Sequence, residues 1–124
     1  MKIVTPLDVY AELAQHYQRP GVMAANNQSL AGIERTLQRS NPGCWPIGFA
    51  QLPVVVDIEA GRPAGEIVAG YKLCGVMEAM QAFGAEALIL GCTHFPYLKA
   101  ELAALMVLPI VDPADRMIEI LLER

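Results

Sequence analysis

Basic residues are too few in this chain to build a surface for a polyanion. Nine Lys and Arg stand against 13 Asp and Glu, a net charge of −4, so the footprint of a nucleic-acid-binding domain is missing. Cysteine is scarce and unpatterned: Cys44, Cys74 and Cys92 are an odd number with no CxxC. That excludes a disulfide framework and a zinc finger, and it suits a reduced, cytoplasmic chain. His16 and His94 lie far apart without metal-ligand spacing, so no metal site is expected. No apolar run approaches a membrane span, and Met1 to Pro6 lacks the apolar core of a signal peptide. Charge is thin as well. Only 18% of residues are charged and 54% are hydrophobic, so some apolar surface is expected to meet another domain, a partner or a second copy.

What remains is a pattern of strands alternating with helices, which predicts one α/β domain over residues 1–124. Residues 1–7 read as an extended lead-in with Pro6 suited to a helix's first turn, and Val9, Leu13 and Tyr17 give a helix from Asp8. His16 lies among polar neighbours and reads as solvated. Gly21 to Ala25 predicts a strand, Ser29 caps a helix of about ten residues, and Cys44 to Ala50 predicts a second strand. Glu66 to Phe83 carries the longest helical pattern, with Cys74 in its sulfur-rich core stripe and Gly84 closing it. Ala87 to Leu90 and Pro109 to Val111 are the remaining strands. A helix to about Met106 lies between them, and Ala114 to Arg124 forms a closing helix with Met117, Ile118, Leu121 and Leu122 inside. Four strands and five or six helices imply a parallel sheet covered on both faces.

The chemistry concentrates in one stretch, Ala87-Leu88-Ile89-Leu90-Gly91-Cys92-Thr93-His94-Phe95-Pro96-Tyr97-Leu98. A buried strand ends at Gly91, and a thiol, a hydroxyl and an imidazole follow before the next helix. Ligands of open α/β sheets bind beyond the carboxyl ends of strands, where this turn would lie. A helix N-terminus just after Cys92 would favour thiolate and would offer backbone N–H groups to a carboxylate or phosphate. The plainer reading makes Cys92 a small buried hydrophobe at a strand end.

The run LILGCTHFPYL resembles the second cysteine motif of the glutamate racemases, in the aspartate/glutamate racemase superfamily. Aspartate racemase relatives usually carry Glu where this chain has His94. Arg19 to Ala25, Ser40-Asn41-Pro42, Ala50 to Gly61 and Ile110 to Ala114 are similar to further segments of the family's C-terminal half. The resemblance covers residues 19–124, is strongest at 87–98, and implies a flavodoxin-like half. It also implies cofactor-independent interconversion of L- and D-glutamate, the D-form serving as a cell-wall precursor. Cys92 matches the second proton-transferring thiol. Thr93 and His94 match residues that bind the substrate carboxylate and assist proton transfer, and Glu59 matches an acidic residue able to fix the tautomer of His94. Asn26-Asn27-Gln28 stands where the family tends to have a Gly-Thr turn shaping the substrate pocket, which makes Asn26 a candidate substrate contact. Gln51 replaces a non-catalytic cysteine of an Ala-Cys-Pro segment.

Racemisation without a cofactor requires groups on both faces of Cα, one deprotonated and one protonated. No Asp-Ser-Gly turn or Cys-Asn-Thr segment is present to supply the first half's thiol. Three arrangements follow: completion by a complementary N-terminal half, a two-fold homodimer with two Cys92 thiols flanking one substrate, or a non-catalytic module that binds an acidic metabolite or partner.

Overall fold

The computed structural model describes residues 3–123. Four parallel strands form one sheet, β1 (Pro20–Ala24), β2 (Ile47–Ala50), β3 (Ala87–Leu90) and β4 (Ile110–Val111), in the order β2-β1-β3-β4. One row of register partners crosses the whole sheet: Gly48 pairs with Val22, Val22 with Ile89, and Ile89 with Val111. The alternation of a strand then sorts side chains by face. Val22, Ala24 and Ile89 enter one core, under α1 (Pro6–His16), α2 (Asn27–Ser40) and α7 (Pro113–Leu122). Met23, Leu88 and Leu90 enter the other, under α3 (Leu52–Glu59), α4 (Ala64–Gly70), α5 (Leu73–Ala82) and α6 (Lys99–Ala103). This is the three-layer α/β architecture that the sequence predicts. β1 and β3 are fully buried at every position, consistent with their unbroken apolar runs.

The strand order has one functional consequence. From β1 the chain moves outward to β2, and from β3 it moves outward to β4 on the opposite side. The carboxyl ends of β1 and β3 therefore flank the topological switch point, where open α/β sheets form their ligand crevice. Asn26 lies just beyond β1 and Cys92 just beyond β3.

Several boundaries differ from the sequence expectation, each for a local reason. Helix α1 starts at Pro6 because Thr5 and Asp8 form a reciprocal capping box. The N-cap of α2 is Asn26, not Ser29: the Asn26 Oδ1 accepts from the Ser29 amide at 2.8 Å, and the helix runs 14 residues rather than about ten. Strand β2 begins only at Ile47, after Pro46, which has no N–H for a ladder. The expected long helix from Glu66 is two helices, broken where Lys72 takes a left-handed φ of 53°. The break resets the helical phase, so Leu73, Met77 and Met80 are buried and Cys74 is exposed rather than in the core stripe. After Cys92 the chain forms a 3₁₀ turn, Phe95–Leu98, before the five-residue α6. In α7, Ile120 is buried, whereas Ile118 and Leu122, expected inside, are 56% and 82% exposed, and Leu121 is also exposed. Gly84 takes φ 95°, as a helix-closing glycine should.

Candidate active site

Gly91 fixes where the thiol sits. Its amide donates to the Met23 carbonyl at 2.8 Å, carrying the β1–β3 pairing one residue past the strand. A Cβ on Gly91 would lie 2.7 Å from Ile33 Cδ1 and 3.0 Å from the Met23 oxygen. Its φ is unexceptional. Glycine is required here for space against β1, not for a left-handed turn.

The next three residues form the turn. Cys92 Sγ lies 3.4 Å from His94 Nδ1, and the His94 backbone N–H donates to the same sulfur at 3.5 Å. The other ring nitrogen, Nε2, lies 3.1 Å from Glu59 Oε1 at the end of α3. The structure thus brings three of the expected residues into one chain of contacts: carboxylate, imidazole, thiol. An ionised Glu59 carboxylate can only accept a hydrogen bond, so Nε2 carries the N–H and donates, which leaves Nδ1 as the acceptor facing the sulfur in the neutral ring. In that tautomer His94 can take the Cys92 proton and return it. The 3₁₀ turn and short α6 supply a much weaker dipole than the long helix expected after Cys92. The donor at the sulfur is therefore the His94 backbone N–H, and the ring nitrogen faces it as an acceptor.

Glu59 is itself 61% exposed, and the end of α3 is held by a network that sequence reasoning missed. Asp57 Oδ2 accepts from the Tyr71 hydroxyl at 2.7 Å and from Arg62 Nη1 at 2.9 Å. The Tyr71 hydrogen bond first, and the Arg62 guanidinium next, hold the Asp57 carboxyl below the usual carboxylate range. Tyr97, three residues past His94, donates its hydroxyl to the Arg62 carbonyl at 3.1 Å. The motif turn and the α3 terminus are tied to the same arginine. No spacing rule connects these residues, which meet where the C-cap of α4 reaches the end of α3.

On its other side Cys92 faces a cavity of about 350 Å³ between α1, α7 and the β3 turn. Tyr10, Thr93, Asp112 and Met117 share its wall with Cys92 and Pro6. Thr93 is exposed there. Asn26 does not line this cavity; its carbonyl oxygen caps α2. A larger groove of about 490 Å³ runs beside β4, but Arg116 there is paired with Glu12 and Lys99 with Asp115. Cys44 is buried in the α1/α2 core and Cys74 lies on the exposed side of α5, so neither faces Cys92 across the cavity. Among the described residues no cluster of three His, Cys, Asp or Glu could hold a metal, and no helix is long and apolar enough to cross a membrane.

The chain is similar to known proteins. The chain is 33% identical over 93 residues to a glutamate racemase of Limosilactobacillus reuteri, covering 74% of this chain and 34% of that protein. It is 33% identical over 108 residues to a glutamate racemase of Limosilactobacillus fermentum, covering 84% and 40% respectively. It therefore spans well under half the length of these relatives. The crystal structure of glutamate racemase from Francisella tularensis in complex with D-glutamate superposes with a TM-score of 0.77 at 22% identity, over 95% of this chain and 45% of that one. That likeness establishes the fold. The Asp/Glu/Hydantoin racemase family matches residues 8–121, which include the sheet, the Cys92 turn and all of the cavity's lining but Pro6. By that match and by its fold, the chain belongs to the Asp/Glu/Hydantoin racemase family.

Proposed function

We propose that this chain supplies one face of a cofactor-independent racemase site, in which Cys92 carries the proton to or from Cα of an acidic amino acid, glutamate first among them. The observation that carries the reading is the Glu59–His94–Cys92 chain of contacts, 3.1 Å and 3.4 Å long, at the carboxyl end of β3. A thiolate takes the Cα proton on its own face. A protonated group on the opposite face delivers another proton, and the configuration inverts. His94 restores Cys92 to the protonation state needed for the reverse direction. Thr93 and the backbone of the turn receive the substrate carboxylate.

Neither Cys44 nor Cys74 is placed to act on the opposite face. The second group comes from outside the described residues, either a complementary racemase half or a second copy of this chain. In this reading the chain works in the cytoplasm and its D-glutamate feeds cell-wall synthesis. The test is circular dichroism of L- and D-glutamate incubated with the protein, alone and with a complementary half. Both enantiomers should decay to a common endpoint, and Cys92→Ser should abolish the decay. A neutral amino acid turned over as fast as glutamate would remove the acidic substrate from the reading.

A further inference from the structure

Tyr10 is a largely buried phenol whose hydroxyl has no hydrogen-bond partner among the described residues. The residue is 8% exposed, yet it lines the cavity beside Cys92. The Tyr10 hydroxyl itself is not sealed from solvent. Among the described residues this one makes no hydrogen bond, whereas the Tyr71 and Tyr97 hydroxyls do, to Asp57 and Arg62. It is also held rigidly. The capping box of Thr5 and Asp8 fixes the start of α1, and Val9, Leu13 and Ala14 lock the helix into the core on either side of Tyr10. Burial pushes the phenol's pKa up, and the nearby Cys92 charge adds to that, so the group stays a protonated donor at neutral pH.

Among the described residues the cavity wall holds no lysine, arginine or histidine. Of those residues, the side chains able to donate to an entering carboxylate are the hydroxyls of Tyr10 and Thr93. Asp112, in the same wall, keeps one oxygen on the Ala114 amide at 3.0 Å and leaves negative charge that a substrate ammonium would answer. We infer that the Tyr10 hydroxyl is a substrate-binding donor, which receives a carboxylate of the bound amino acid and holds it beside Cys92. The role rests on the racemase reading of this site and adds to it a residue from α1, outside the motif that carries the thiol.

The experiment is peptide-resolved mass spectrometry of alkylation by iodoacetate and by iodoacetamide, in wild type, Tyr10→Phe and Thr93→Ala. In both reactions the thiolate forms a C–S bond and displaces iodide; only iodoacetate carries a carboxylate. At Cys92 the iodoacetate-to-iodoacetamide rate ratio should fall about tenfold in Tyr10→Phe, the scale of one hydrogen bond to a charged group. Exposed Cys74 is the internal control and should not change. The melting temperature of Tyr10→Phe should match wild type, because the hydroxyl has no protein partner to lose. An unchanged ratio in Tyr10→Phe, whether Thr93→Ala lowers it or not, would overturn the inference. The racemase reading fails on separate evidence, namely Cα exchange that persists in Cys92→Ser.

Discussion

The two sides of Cys92 are built differently. On the α3 side the polar groups around His94 are engaged: Glu59 with His94, His94 with the sulfur, and Asp57, Arg62, Tyr71 and Tyr97 with one another. On the α1/α7 side there is a cavity with a hydroxyl that has no partner among the described residues. The first is a fixed proton path whose geometry is set before any ligand arrives. The second is space with donors left over, as a ligand requires. One thiol between an engaged network and an open cavity is the arrangement on which the proposed proton transfer rests.

Substitutions on the finished side should injure chemistry more the closer they lie to the sulfur. His94→Gln removes the group that exchanges protons with Cys92, and Cα proton exchange should fall by about 10²- to 10⁴-fold, the usual weight of a general acid–base group. Glu59→Gln keeps the shape but weakens the hold on Nε2, so the same assay should show a loss of roughly tenfold, the weight of one charge-assisted hydrogen bond. A Glu59→Gln defect as deep as that of His94→Gln would mean that the carboxylate acts directly.

The hinge between the two sides is Gly91. Gly91→Ala places a methyl against Ile33 and the Met23 carbonyl, and denaturant unfolding should show a loss of about 1–3 kcal/mol. A neutral result would mean that β3 can retreat from β1, and the placement of Cys92 would lose its anchor. Tyr71→Phe should have the smallest effect, and one that depends on pH. Asp57 is depressed in the folded chain chiefly by the Tyr71 hydrogen bond, so its stabilisation is complete above the ordinary aspartate value and is lost as pH falls through the lower folded-state value. Removing the hydroxyl should lower the melting temperature at neutral pH, and the difference from wild type should shrink on acidification through that window.

The sequence was most legible where the chemistry is local. The apolar run of β3, Gly91, and the Cys92-Thr93-His94 turn are contiguous, and the alternation of strands and helices gave the parallel sheet. The pairing of Glu59 with His94 was reachable only through the family resemblance, since 35 positions of sequence separate them. What stayed hidden depended on tertiary placement. Tyr10 reads as one more residue of an amphipathic helix until α1 is docked beside β3. The Asp57–Arg62–Tyr71 cluster depends on how α3 and α4 dock, and the break at Lys72 falls on a positive-φ residue that is not glycine and so gives no sequence signal. The exposed apolar residues of α7 were read as core because period alone says that a face is apolar, not that something covers it.

The most direct measurement is deuterium incorporation at Cα of L- and D-glutamate in heavy water, followed by proton NMR, with wild-type protein and Cys92→Ser. The account predicts exchange in wild type, with retention if Cys92 acts alone and with inversion if a second group completes the site, and none in Cys92→Ser. Exchange that survives the substitution, or a folded wild-type protein that exchanges neither enantiomer even with the complementary half present, would contradict it.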